Sequence, residues 1–152
     1  MSDLRELYQE VILDHSRRPR NCQALDHPDR RAEGFNPLCG DKVVVYLELD
    51  GDRIHTLAFQ GSGCAISTAS ASLMTEILRG KTVDEALHIF EQFHHLLTED
   101  GDAADEDLGK LTVFAGVKEF PSRVKCATLA WHTLHAALEN TRAMANSEGD
   151  EP

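Results

Sequence analysis

Residues 42–64 read KVVVYLELDGDRIHTLAFQGSGC. Val43-Val44-Val45-Tyr46 opens a run rich in β-branched and aromatic residues that reaches Leu49, Asp50-Gly51 interrupts it, and a second run follows from Arg53 to Phe59. Two such runs around Asp-Gly predict an antiparallel hairpin. Gly61-Ser62-Gly63 ends the second strand. From about Cys64 the pattern turns helical and continues to Arg79, with Gly80 placed to cap the helix.

Working outward, Leu4, Tyr8, Val11 and Ile12 recur at helical spacing, which predicts an amphipathic helix over about 3–16. Pro19 disfavours helix at the residue before it and stops that helix within Arg17-Arg18-Pro19-Arg20-Asn21. Residues 21–34 read as loop and early strand. Downstream, Thr82 with Glu85 three residues later is a capping box for a helix to about Leu97. Thr98 to Asp107 reads as an acidic loop and 108–116 as a short helix. Pro121-Ser122 opens the last helix, whose apolar stripe is Cys126, Leu129, Ala130, Thr133, Leu134, Ala137 and Leu138. Helix, strands, then helices predict an α+β fold: a small antiparallel sheet of about three strands with helices packed on one face. We expect one domain over 1–142 and a disordered acidic tail over 143–152.

The chain has 152 residues, 41% of them hydrophobic, enough for one core. Its 26 acids against 15 bases give a net charge of −11. That balance disfavours a general binder of phosphate backbones and docking to an anionic membrane surface. No apolar stretch approaches the ~18 residues of a membrane span. The polar start, Met1-Ser2-Asp3-Leu4-Arg5-Glu6, resembles neither a secretory signal nor a transit peptide. These features predict a soluble cytoplasmic protein, a monomer or weak dimer, with no nucleic-acid or membrane partner. The charge is concentrated. Residues 82–107 hold nine acids and no Lys or Arg, and the stretch from Ala143 adds three more, leaving 14 acids against 15 bases elsewhere. Such runs are solvated helix faces and loops or an acidic patch that a partner recognises.

Four cysteines, at 22, 39, 64 and 126, point in a reducing compartment to metal binding or thiol chemistry. Cys39 lies in the Pro/Gly turn entering the hairpin, Cys64 at a strand-to-helix junction, and Cys126 within the first turns of the last helix. Thiols near helix N-termini feel the positive end of the dipole and favour thiolate. Asp41 follows Cys39 by two residues and falls on the same side of an extended segment. Cys39, Asp41, Cys64 and Cys126 form a tetrahedral donor set that zinc accepts, with Lys42, Arg123 and Lys125 near enough in sequence to offset its charge. The alternative is three buried, inert cysteines.

Pro37-Leu38-Cys39-Gly40-Asp41, Gly61-Ser62-Gly63-Cys64-Ala65-Ile66-Ser67 and Arg123-Val124-Lys125-Cys126-Ala127-Thr128-Leu129 resemble, in order, the three cysteine motifs of the IscU/NifU-like iron–sulfur cluster assembly family. Arg18-Pro19-Arg20-Asn21 looks like the family's opening, so the resemblance spans about 3–140. Within the family the chain looks like the SufU branch. Lys125 precedes the last cysteine where the scaffold branch has histidine, and the stretch between Cys64 and Cys126 is longer.

The resemblance implies an IscU/NifU-like fold and a zinc-dependent sulfurtransferase. Zinc would be held by Cys39, Asp41, Cys64 and Cys126. Cys39 would accept persulfide sulfur from a SufS-like cysteine desulfurase and pass it to a downstream SUF-type assembly scaffold. The alternatives are a scaffold that assembles and transfers an iron–sulfur cluster, and a domain in which zinc is only structural. Charge and adjacency suggest that Arg123 steadies the freed thiolate or persulfide; its other reading is a solvated arginine at a helix start. Cys22 fits no motif and reads as a spare thiol. His94, His95, His132 and His135 read as surface or helix-packing residues, and Trp131 as packing or a partly exposed docking residue. Arg17 to Arg20 read as a solvated helix end or a partner contact.

Overall fold

The hairpin is present. Strands β2 (Asp41–Asp50) and β3 (Arg53–Ser62) pair antiparallel with Val45 opposite Phe59 and Leu47 opposite Leu57. A register irregularity between Glu48 and Leu49 precedes the turn. Strand β1 (Arg30–Asn36) pairs antiparallel along the other edge of β2, with Asn36 opposite Asp41. The computed structural model describes residues 2–37, 40–98, 111, 114, 117, 121–139 and 145–146.

Four helices complete the fold: α1 (Ser2–Arg17), α2 (Ala65–Leu78), α3 (Val83–Thr98) and α4 (Pro121–Leu138). Helix α4 crosses β1 and β2, α2 lies against β3 and α4, α1 packs on α2, and α3 packs on α4. The alternation along β2 shows which face they cover. Asp41, Val43, Val45 and Leu47 are buried, whereas Lys42 is exposed and Val44 half-buried. Each fully buried Leu or Phe contributes about 1.5–3 kcal/mol. Here Leu47, Leu57, Leu73, Leu78, Phe93 and Phe114 form one continuous core with Trp131.

Two local details set the approach of the layers. An alanine Cβ at Gly34 would collide with Thr133 Oγ1 and lie 3.2 Å from Leu129 Cδ1, so the bare β1 backbone lets α4 come close. The Thr82 capping box forms as predicted. Glu85 N–H donates to Thr82 Oγ1 at 3.1 Å, and Thr82 N–H donates to Glu85 Oε1 at 2.9 Å.

The structure refines three readings. Trp131 is not partly exposed: it is fully buried, its indole N–H donates to Ser70 Oγ at 3.1 Å, and Phe90 stacks on it. Ala145–Asn146 form a two-residue strand, β4, parallel to β1 at Gly34 and Phe35, inside the stretch read as a disordered tail. Ala-Asn carries no strand propensity, so only a neighbouring edge could have revealed it. Leu111 and Phe114, in the region read as a short helix, and Val117 just after it are buried 3₁₀ residues. The acidic run from Glu99 to Asp107 and residues 147–152 lie outside the described residues. Among the described residues no helix is long and apolar enough to cross a membrane.

Candidate metal centre

Three of the four predicted donors converge. One donor atom each of Asp41, Cys64 and Cys126 lies within 4.8 Å of the other two, although the residues come from β2, the start of α2 and the second turn of α4. A tetrahedral zinc with bonds of about 2.3 Å to sulfur and about 2.1 Å to oxygen spaces its ligands roughly 3.6–3.8 Å apart. Cys64 Sγ lies 3.8 Å from Asp41 Oδ2. The donor types suit zinc, and the Cys64–Asp41 separation matches its ligand spacing.

Each donor has a physical reason for its place. Asp41 is the first residue of β2 on its inward face, and 2% of it is exposed. A buried carboxylate needs compensation; Cys64 N–H donates to its Oδ1 at 3.1 Å. Cys64 is the N-cap of α2, with extended backbone, and Ser67 N–H donates to its sulfur at 3.4 Å. The sulfur thus takes the capping role usual for a Ser or Asp oxygen, at the positive end of the helix. Cys126 is buried in the second turn of α4. There the helix end acts only weakly, so the dipole argument holds for Cys64 and not for Cys126.

Cys39 lies outside the described residues. Its neighbours bracket it: Asn36 pairs with Asp41, and Gly40 N–H donates to the Asn36 carbonyl at 2.8 Å. Arg123 is exposed on the first turn of α4, three residues before Cys126 and so on the same side of the helix. Lys125 is half-buried. Lys42 does not serve the site: strand alternation turns it to the other face of β2, where its Nζ lies 6.0 Å from the centre of the Phe35 ring. Cys22 is exposed beside Phe59 and does not join the donor group. His94, His132 and His135 gather around Phe90 where α3 meets α4, as helix-packing residues do.

The glycines flanking Cys64 signal close backbone approach but not to what; sequence reasoning did not reveal that Gly63 lies against Asp41, nor the backbone donors to Asp41 and Cys64.

The fold and this donor set define a class: a small α+β domain that gathers cysteine sulfurs and one carboxylate at the end of its sheet. The chain belongs to the NifU-like N-terminal domain family, whose profile matches residues 7–127 and so spans all four predicted donors. It is 40% identical over 141 residues to the iron–sulfur cluster assembly scaffold protein IscU of Streptococcus pyogenes (93% of this chain, 88% of the relative). It is 39% identical over 139 residues to the zinc-dependent sulfurtransferase SufU of Bacillus subtilis (90% and 92%). A crystal structure described as a SUF-system scaffold protein from Fervidobacterium islandicum superposes with a TM-score of 0.80 at 38% identity, covering 85% of this chain and 94% of that one.

Proposed function

We propose that this protein acts in iron–sulfur cluster assembly as a zinc-dependent sulfur acceptor for a cysteine desulfurase. The carrying observation is the meeting of Asp41, Cys64 and Cys126 donor atoms at one end of the sheet. The likeness to the Bacillus subtilis sulfurtransferase supports it. Cys39, Asp41, Cys64 and Cys126 would hold the metal. Bound zinc keeps sulfur ligands as thiolates and has no redox chemistry of its own.

The chain's own chemistry is thiol exchange. The Cys39 thiolate attacks the outer sulfur of the desulfurase persulfide. The donor's S–S bond breaks, the donor cysteine leaves as thiolate, and Cys39 carries the new persulfide. Arg123, one turn before Cys126, supplies a positive charge for that anionic sulfur. A downstream SUF-type scaffold then receives the sulfur.

A second reading is a scaffold on which the cluster is assembled as cargo, which the likeness to the Streptococcus pyogenes protein favours. Lys125, standing where the scaffold branch has histidine, speaks against it. The test is turnover of a cysteine desulfurase from the same organism, with wild-type protein or Cys39→Ala and bound metal quantified in both. Wild-type protein carrying about one zinc and raising turnover severalfold, with Cys39→Ala inactive, supports sulfur acceptance. Unchanged turnover, with a stable coloured cluster after anaerobic iron and sulfide, selects the scaffold.

A further inference from the structure

We infer that Gly63 is a positioning residue for Asp41: its missing side chain lets the carboxylate lie against the start of α2, with Oδ1 on the Cys64 N–H and Oδ2 toward the Cys64 sulfur. The inference rests on Asp41 being a metal ligand, as proposed above. A Cβ at Gly63 would lie 2.7 Å from Asp41 Oδ1, 2.9 Å from Cγ and 3.2 Å from Cβ. Its three nearest neighbours are therefore all atoms of one side chain, the carboxylate of the donor group. Gly63 is not among the glycines with positive φ. Alanine is therefore admissible to the backbone there, and what excludes it is the space Asp41 occupies.

Asp41 has little room to yield. It is buried, and its backbone is paired with Asn36 across β1. A methyl group at position 63 pushes the carboxylate off the Cys64 N–H, and both oxygens leave their places. With glycine, the bond from Cys64 N–H at 3.1 Å occupies Oδ1, while Oδ2 lies 3.8 Å from Cys64 Sγ. The carboxylate is thus held for one-oxygen ligation. Gly63 acts as an outer-shell partner does, orienting a ligand it does not replace.

The test is a double-mutant cycle on the full chain with Gly63→Ala and Asp41→Ala. Zinc affinity is read by competition with a chromophoric chelator, geometry by the visible bands of the cobalt(II) form, and packing by the melting temperature of the metal-free protein. Gly63→Ala is expected to weaken zinc binding about 10–100-fold and to shift the cobalt spectrum toward that of Asp41→Ala. In the Asp41→Ala background the same change is expected to cost less than about twofold. An equal loss in both backgrounds, or no loss in the wild-type background, overturns the inference. If Gly63→Ala alone fails to fold, a folded double variant supports it, and an unfolded double variant overturns it. Should Asp41→Ala leave affinity and spectrum unchanged, the metal reading fails. The melting temperatures then still report whether position 63 acts through Asp41.

Discussion

Helix α2 organises two polar clusters, and they are built differently. Along its length, Ser72 Oγ lies 2.7 Å from His15 Nδ1 and accepts the Arg20 N–H at 2.9 Å. Asn21 Nδ2 donates to Thr75 Oγ1 at 3.0 Å, and Thr75 Oγ1 donates to the Ser72 carbonyl at 2.7 Å. These are full-strength hydrogen bonds that tie α1 and the following loop to the core. At the start of α2 the shared partner is a sulfur, 3.4 Å from Ser67 N and 3.8 Å from Asp41 Oδ2, lengths set by the larger atom. The first cluster closes on itself. The second brings two cysteine sulfurs and a carboxylate oxygen within 4.8 Å of one another, as a candidate ligand set does. Burial of polar groups alone does not mark a functional site; what those groups face does.

The contrast is testable, and its largest expected effect is at the metal end. Cys126→Ser, nearly isosteric, should weaken zinc binding by more than the roughly 100-fold that loss of an outer-shell partner can cost, measured by chelator competition. At one fixed zinc concentration, 100 times the wild-type dissociation constant, wild type gains about 2.7 kcal/mol and Cys126→Ser should gain less than about 0.4 kcal/mol, read as the shift in melting temperature. Zinc stabilisation that survives in Cys126→Ser would separate the buried thiol from the site.

The mid-helix cluster should show the reverse. Ser72→Ala leaves a buried imidazole and the Arg20 N–H without their shared partner, at a cost of about 1–3 kcal/mol in denaturant unfolding. Zinc affinity should stay within about twofold. A loss of affinity would mean that the two clusters are coupled along the helix.

The smallest effect concerns the rim of that cluster. The hydrogen bond from Arg20, at 2.8 Å, holds the Asp14 carboxyl below its ordinary value. A lowered carboxylate contributes stability that is present above the unfolded value, near pH 4, and lost as pH falls through the folded one. Asp14→Asn should therefore be slightly less stable than wild type at pH 7, with the gap closing as the pH falls below the ordinary carboxylate range in urea titrations. A gap that is constant with pH would assign the contact to packing.

Much of this was legible beforehand. Asp50-Gly51 announced the hairpin, Thr82 and Glu85 the start of α3, and the glycines before Cys64 the junction that places a donor. Helix α2 was harder. Ser67, Ser70, Ser72 and Thr75 suggest a wet face in sequence, yet all are buried, because α1, α4 and β3 surround the helix. A helix enclosed on several sides has no solvent stripe for periodicity to report. Trp131 was ambiguous for a related reason: its N–H partner is Ser70 on α2, 61 residues away. The Gly63–Asp41 contact was invisible because it depends on the register that sets Lys42 opposite Ser62.

The docking of α4 also sets a timetable. Cys126 follows Cys64 by 62 residues and reaches the other donors only when α4 lies across β1 and β2. At 5–20 residues per second on the ribosome, that thiol is made roughly 3–12 s after Cys64. A nascent chain ending before it presents at most three of the four proposed donors. On the proposed reading, ions encountered during synthesis would meet an incomplete cage, and tight loading would wait for chains that have already folded.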